Sequence, residues 1–285
     1  MIKGFFLWIL KFITVLAALI VLGFLAERFV KKREEESMAK YGRVGLVRIS
    51  GIIVDSIEPI RKIRQFLRDD SIESIVVRID SPGGAVGPSQ ELYHFIKSIN
   101  QKPVVASMGS VAASGGLYVA LGGKKIFAQP GSITGSVGVI MQIPNVAELS
   151  QKLGVKFEVV KSGELKDVGN MFRPLNDFER EFLMESARKI HEQFIRDIST
   201  ARNIPIEKVK EFADGRFLTG EEAFALGLID GFADVLESAK VALELAGVTD
   251  KDPILVIPRD YSELIREILG THLHDFLLKL LNFEA

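Results

Sequence analysis

The sequence predicts an α/β fold built on a largely parallel sheet. Three observations predict it: short β-branched runs, segments of helical period between them, and glycine-rich turns that follow the runs. The first run is Val-Gly-Leu-Val-Arg-Ile at 44–49, followed by Glu73–Ile79, Lys102–Met108 and Lys124–Gln129. Each has the length and composition of a buried strand. Between the first two, Ile57, Ile60, Ile63 and Phe66 recur every three residues; between the next two, Leu92, Phe95, Ile96 and Ile99 share one helical face. Strands alternating with helices imply right-handed βαβ units. Farther on, Phe157–Val160 reads as another apolar strand. Asn176–Asn203 reads as one long helix that Pro205 ends, with shorter helices around Ile206–Ala213 and Gly220–Leu226. Asp252–Pro258 is a final strand or a linker.

The ends differ from this core. From Gly4 to Ala26 the chain is apolar except for Lys11 and Thr14. A helix of that length spans roughly 30–35 Å, the thickness of a bilayer's hydrocarbon layer. A cleaved signal peptide would need a better small-residue site than Val21-Leu22-Gly23. The expected organisation is a transmembrane anchor at 1–30, a charged tether at 31–42, a catalytic-sized domain at 43–248, and a linker with an amphipathic helix at 249–285. In that tail, Leu264, Ile268, Phe276, Leu277, Leu280 and Leu281 form an apolar stripe. The stripe suits docking on its own domain, contact with another copy, or a membrane surface. Arg28, Lys31, Lys32 and Arg33 follow the anchor, a pattern that by itself favours a cytoplasmic body.

Composition narrows the chemistry. The 285 residues carry 36 basic and 37 acidic side chains, a net charge of -1, so no bulk electrostatic attraction to nucleic acid is expected. There is no cysteine, which removes thiol nucleophiles, disulfides and thiolate metal sites together. The four histidines are His94, His191, His272 and His274, and none lies in a glycine-rich turn. No metal-ligand motif and no phosphate-binding loop is present, so neither metal nor cofactor is expected.

Three glycine-rich segments remain, each behind a strand. Asp80-Ser81-Pro82-Gly83-Gly84 can present backbone N–H groups at a strand's C-terminal end, or can be an ordinary tight turn. Ser107–Tyr118 crowds small residues around Ser114, with the Gly115 N–H beside it at a helix start. There Ser114 is either a nucleophile or a helix cap. In Pro130–Val139, which contains Ser136, hydroxyls are more often satisfied locally than catalytic. A nucleophilic serine needs a base, and with the histidines set aside, lysine remains. Lys161 and Lys166 in Lys161-Ser-Gly-Glu-Leu-Lys166-Asp167 are the candidates.

Taken together and in this order, these segments resemble the signal peptide peptidase A family of membrane-anchored serine peptidases. The resemblance covers about residues 43–240 and rests on four motifs: D-S-P-G-G, S-M-G-S-x-A-A-S-G-G, T-G-S-x-G-V and K-S-G-x-x-K-D. It implies that Ser114 is the nucleophile and Lys166, rather than Lys161, the general base. Ser136 would help hold the lysine, and Gly83, Gly84 and Gly115 would supply the oxyanion-binding amides. It implies the βαβ spiral of the Clp protease and crotonase folds. The expected activity is endopeptidase cleavage of signal peptides and other unfolded apolar peptides. With a single repeat, the Ser-Lys dyad would be completed between neighbouring copies in a homo-oligomeric ring. The resemblance also implies a body on the extracytoplasmic side of the cell membrane, against the flanking charges. A lysine that titrates freely near 10.4 must be destabilised by roughly 3.5–4 kcal/mol to act as a base near neutral pH. Two other classes remain: a crotonase-like acyl-CoA enzyme, which needs neither Ser114 nor Lys166, and a non-catalytic membrane-anchored scaffold.

Overall fold

The computed structural model describes Arg28 and residues 40–258. The expected anchor and the amphipathic tail lie outside the described residues. Among the described residues, no helix is long and apolar enough to cross a membrane.

The chain builds one branched sheet. Strand β1 (Tyr41–Ser50) leads through helix α1 (Ile57–Leu67) to β2 (Ser74–Ser81), then through α2 (Val86–Lys97) to β3 (Val104–Ala112). Helix α3 (Gly115–Ala120) follows β3 directly, and β4 (Lys125–Ala128) and β5 (Ile133–Gly135) come next. The spatial order is β6-β5-β3-β2-β1-β8, with β6 at Phe217–Thr219 and β8 at Asp252–Val256. Strand β4 branches off β3 and pairs in turn with β7 (Gly231–Phe232). All pairings are parallel except β5 with β6. The branch point is the long strand β3: Val105–Ser107 pair with β4, whereas Val111 pairs with β5. The alternation of strands and helices expected from the sequence is therefore present, and residues 252–256 are strand rather than linker.

Both faces of the sheet are covered, as a parallel sheet requires. On one face Ile75, Val77, Ile79 and Met108 join Ile63, Phe66, Leu92, Tyr93, Ile96 and Leu117 in the main core. On the other, Val44, Leu46, Val76 and Val105 pack under Ala239, Ala242 and Leu243 of helix α8 (Val235–Leu245). The period-2 alternation of strand side chains explains how one run feeds two cores.

The long helix α5 (Asp177–Arg202) matches the predicted one and shows why it starts and stops there. Asn176 accepts from the Glu179 N–H while Glu179 accepts from the Asn176 N–H, a reciprocal cap. Asn203 ends the helix in the left-handed region, at φ 54°. Helices α6 (Ile206–Lys210) and α7 (Gly220–Ala225) follow.

One expected element is absent. Phe157–Val160 forms no strand and pairs with no strand among the described residues; Phe157, Val159 and Val160 are exposed. An apolar β-branched run needs a neighbouring strand to accept its hydrogen bonds, and among the described residues none is alongside. Residues 139–175 instead form an arm outside the sheet. It contains a short helix, α4 (Ala147–Lys152), a stack of Phe157 on Phe172, and a 3₁₀ turn at Glu164–Asp167.

Candidate active site

Ser114 sits where β3 breaks into α3. Its backbone takes φ 53° and ψ -118°, a conformation that side chains of L-residues rarely adopt and that costs about 1–3 kcal/mol. The surroundings impose it. The Ser114 N–H donates to the Gly135 carbonyl at 2.8 Å, and the Ser114 carbonyl accepts from the Tyr118 N–H at 2.9 Å. A sharp strand-to-helix turn of this kind pushes a side chain out of the backbone, as in the nucleophile elbows of hydrolases. The Ser114 hydroxyl has no hydrogen-bond partner among the described residues. The cap reading is thereby set aside, because no side-chain capping bond is made.

The Asp80–Gly84 turn lies against this one. Gly83, at φ 107°, approaches so closely that a Cβ there would come within 2.8 Å of both the Ser114 Cβ and the Gly115 nitrogen. A Cβ on Gly84 would lie 2.1 Å from the Ile53 carbonyl oxygen. Ile53 holds the turn by donating to the Gly83 carbonyl and accepting from the Ala85 N–H. Gly84, between those two bonds, has an N–H without an acceptor among the described residues. The Gly115 N–H is likewise unused, and a Cβ on Gly115 would lie 3.2 Å from the Gly84 nitrogen. Two amides without an acceptor among the described residues thus lie beside Ser114, and both glycines line one cavity with it. The Gly83 N–H differs: it donates to the Ser81 hydroxyl at 3.1 Å. Of the three glycines that the resemblance implies, Gly83 therefore shapes the turn, and Gly84 and Gly115 hold the free donors.

Asp80, in the same motif, accepts from the Val111 N–H at 3.1 Å and so ties the turn to the end of β3. In the third segment Ser132 and Thr134 donate to the Gly109 and Ala112 carbonyls, both at 2.7 Å, as hydroxyls satisfied locally. Ser136 stands apart from them. It takes φ 52°, directly after the Gly135 whose carbonyl receives the Ser114 N–H, and its hydroxyl has no partner among the described residues.

Beside Ser114 opens a cavity of about 20 Å³, room for little more than one water-sized group. Gly84, Ser89 and Gly115 line it together with Val86, Tyr118, Val139, Ile190 and Phe194. Its aromatic wall is locked: Tyr118 stacks on Phe194 with centroids 4.3 Å apart, and its hydroxyl donates to Asp197 and accepts from Gln90. Burial, followed by the Asp197 bond, pushes the Tyr118 hydroxyl well above the usual phenol range, so it stays protonated as a donor. Sequence reasoning missed this network because its members, Gln90, Tyr118, Gln193 and Asp197, come from three helices with no shared motif.

The lysines are elsewhere. Both stand on the arm, and neither lines the cavity or bonds to Ser114. Lys161 Nζ is occupied by Asp167 Oδ1 at 2.6 Å and the Glu164 carbonyl at 2.7 Å. Lys166, on the 3₁₀ turn, is exposed and its Nζ has no partner among the described residues. The structure therefore brings together Ser114, Gly84, Gly115 and the Gly135 carbonyl that precedes Ser136, and leaves Lys166 unjoined to them among the described residues. Of the histidines, His94 is exposed on α2 and His191 lies on α5; His272 and His274 lie outside the described residues.

Residues 97–249 match the family model of peptidase family S49, and residues 53–134 match that of the Clp protease. The second match agrees with the branched βαβ sheet. A protein of Synechocystis, provisionally named as a protease, is 37% identical over 80% of this chain and 83% of its own length. The chloroplastic serine protease SPPA of Arabidopsis thaliana is 34% identical over 70% of this chain but 29% of its own. Protease 4 of Salmonella typhi is 31% identical over 72% of this chain and 35% of its own. The chain thus spans most of one relative and about a third of the two others. The extent of these matches, over the very segments that build the Ser114 turn, places the chain in peptidase family S49, among the signal peptide peptidase A proteins.

Proposed function

We propose that the protein is a membrane-anchored serine endopeptidase that cleaves signal peptides and other unfolded apolar peptides with a dyad of Ser114 and Lys166. The observation that carries the reading is the Ser114 turn: an unbonded hydroxyl on a strained strand-to-helix junction, with the free Gly84 and Gly115 amides beside it. Ser114 Oγ attacks the scissile carbonyl carbon while its proton passes to a neutral Lys166 Nζ. The oxyanion accepts hydrogen bonds from Gly84 and Gly115. Collapse breaks the C–N bond, the amine leaves with the proton from Lys166, and an ester remains on Ser114. Water then gives its proton to Lys166 and attacks the ester, and Ser114 recovers a proton as the carboxylic acid departs.

The lysine comes from a neighbouring copy in a homo-oligomeric ring. What supports this is the arm: it carries Lys166 unpaired and exposes Ile140, Leu153, Phe157 and Val160, at 82%, 71%, 50% and 101% of their surface. Such apolar exposure along one segment suits burial against a partner. The narrow apolar cavity suits a small apolar side chain beside the cleaved bond, since an unpaired charge there would lose its hydration. No cofactor takes part, and the catalytic body lies on the extracytoplasmic side.

Labelling with a fluorophosphonate and mapping the adduct tests the assignment. The label should fall on Ser114. Ser114→Ala and Lys166→Ala should each lower hydrolysis of an apolar peptide by at least about 10³-fold while remaining folded. Wild-type turnover by Lys166→Ala would overturn the dyad, and acyl-CoA turnover surviving Ser114→Ala would favour the crotonase-like class.

A further inference from the structure

The 3₁₀ turn that carries Lys166 is bolted in place by four charged side chains, none of them Lys166. Arg173 is the centre. Its Nε donates to Asp167 Oδ2 at 3.0 Å, and its Nη2 reaches the Asp167 carbonyl at 3.3 Å. The other side of the same guanidinium forks onto Glu179, with Nη1 2.7 Å from Oε2 and Nη2 2.5 Å from Oε1. Glu179 is fully buried and is also the residue that completes the cap of α5. Lys161 closes the remaining oxygen of Asp167 and the Glu164 carbonyl. The turn is thereby fixed to the first turn of the longest helix in the described chain.

The chemistry of this arrangement bears on the base. Asp167 follows Lys166 directly, and a carboxylate paired with an ammonium holds the proton on it. Here both Asp167 oxygens are taken by Arg173 and Lys161, so the nearest carboxylate is spent on other cations. Two cations and two carboxylates balance within the cluster, and Glu164 is exposed on the same turn. Arg173 suits the task better than lysine would, because a planar fork with five donors can serve both carboxylates and a carbonyl at once. The hydrogen bonds from Arg173 also hold Asp167 well below its ordinary carboxylate range and lower Glu179, so both stay ionised at neutral pH.

We infer that Arg173 is a positioning residue for the reaction: by clamping Asp167 to Glu179 it orients the turn that presents Lys166 and keeps Asp167 from pairing with that lysine. The inference rests on Lys166 being the base. Arg173 touches neither substrate nor Ser114, so its loss should slow the chemical step and leave peptide binding alone.

The test uses the full chain and a fluorogenic apolar peptide, with Arg173→Ala, Arg173→Lys and Lys166→Ala compared by kcat, KM and thermal midpoint. Arg173→Ala should lower kcat at least about tenfold with KM within about twofold of wild type. Ethylguanidinium in solution should restore part of that kcat, and should restore nothing in Lys166→Ala. Arg173→Lys, which keeps the charge and loses the fork, should fall between wild type and Arg173→Ala; it decides the matter if the alanine variant fails to fold. Wild-type kcat in Arg173→Lys and Arg173→Ala beside an inactive Lys166→Ala would overturn the positioning role alone. So would a raised KM with unchanged kcat. A fully active Lys166→Ala would remove the reading beneath it.

Discussion

The Ser114 turn and the Lys166 arm are built on opposite principles. Around Ser114, the neighbours Ala112, Ala113, Gly115, Gly116 and Leu117 are buried, the backbone N–H groups of Ala113, Ser114 and Gly116 are paired, and the turn is wedged between β2, β5 and α2. The arm has no residue in the sheet, turns large apolar side chains outward, and is held mainly by one ionic clamp. The difference teaches that a strained backbone, such as the one at the proposed nucleophile Ser114, needs a close-packed frame to over-determine it. A residue that reaches another molecule's site, as proposed for Lys166, needs exposure and one firm tether.

Substitutions should separate the two regions by size of effect. Leu117→Ala, at a site with no exposed surface behind Ser114, should cost about 2–5 kcal/mol of stability, read from denaturant unfolding. Gly84→Ala should cost about 1–3 kcal/mol or more, because its Cβ would meet the Ile53 carbonyl, and should abolish turnover by shifting a free amide. An unchanged Gly84→Ala enzyme would show that this amide is not used.

Acidification should act on the arm first. Asp167 and Glu179 titrate below the ordinary values of 3.8 and 4.5, chiefly through hydrogen bonds from Arg173. Their contribution is therefore complete above those values and is lost as the pH falls through the lower folded ones. Below about pH 3.5, pepsin should nick residues 161–175 before it cuts the sheet. The smallest effect should be Val160→Ala, within about 0.5 kcal/mol for the isolated chain, since that side chain is fully exposed. The same change should weaken self-association measured by sedimentation.

The same contrast governs what could be read from the sequence. Strands β1 to β4 and helix α5 were legible because their signals are local: a β-branched run, a helical period, Asn176 and Asn203 at the ends. The Phe157–Val160 run carried an equally strong local signal and forms no strand, since composition does not say whether a pairing partner exists. Strands β6 and β7, of three and two residues, are defined only by their neighbours and left no pattern to find. At the site, the motifs pointed to Ser114 and its glycines, but only coordinates show that the Gly83 N–H is spent on Ser81. Sequence alone left Lys161 and Lys166 as rivals until the resemblance chose. The structure separates them physically, because Asp167 occupies one and leaves the other unpaired.

Mixing tests the central claim, that the two halves of the site meet between copies, most directly. Ser114→Ala and Lys166→Ala proteins, each inactive, should regain peptide hydrolysis when unfolded together and co-assembled. A mixed assembly places some intact Ser114 beside intact Lys166, so activity should rise with the product of the two fractions. No recovery from such mixtures, beside a wild-type chain that is fully active as a monomer in sedimentation, would contradict the account.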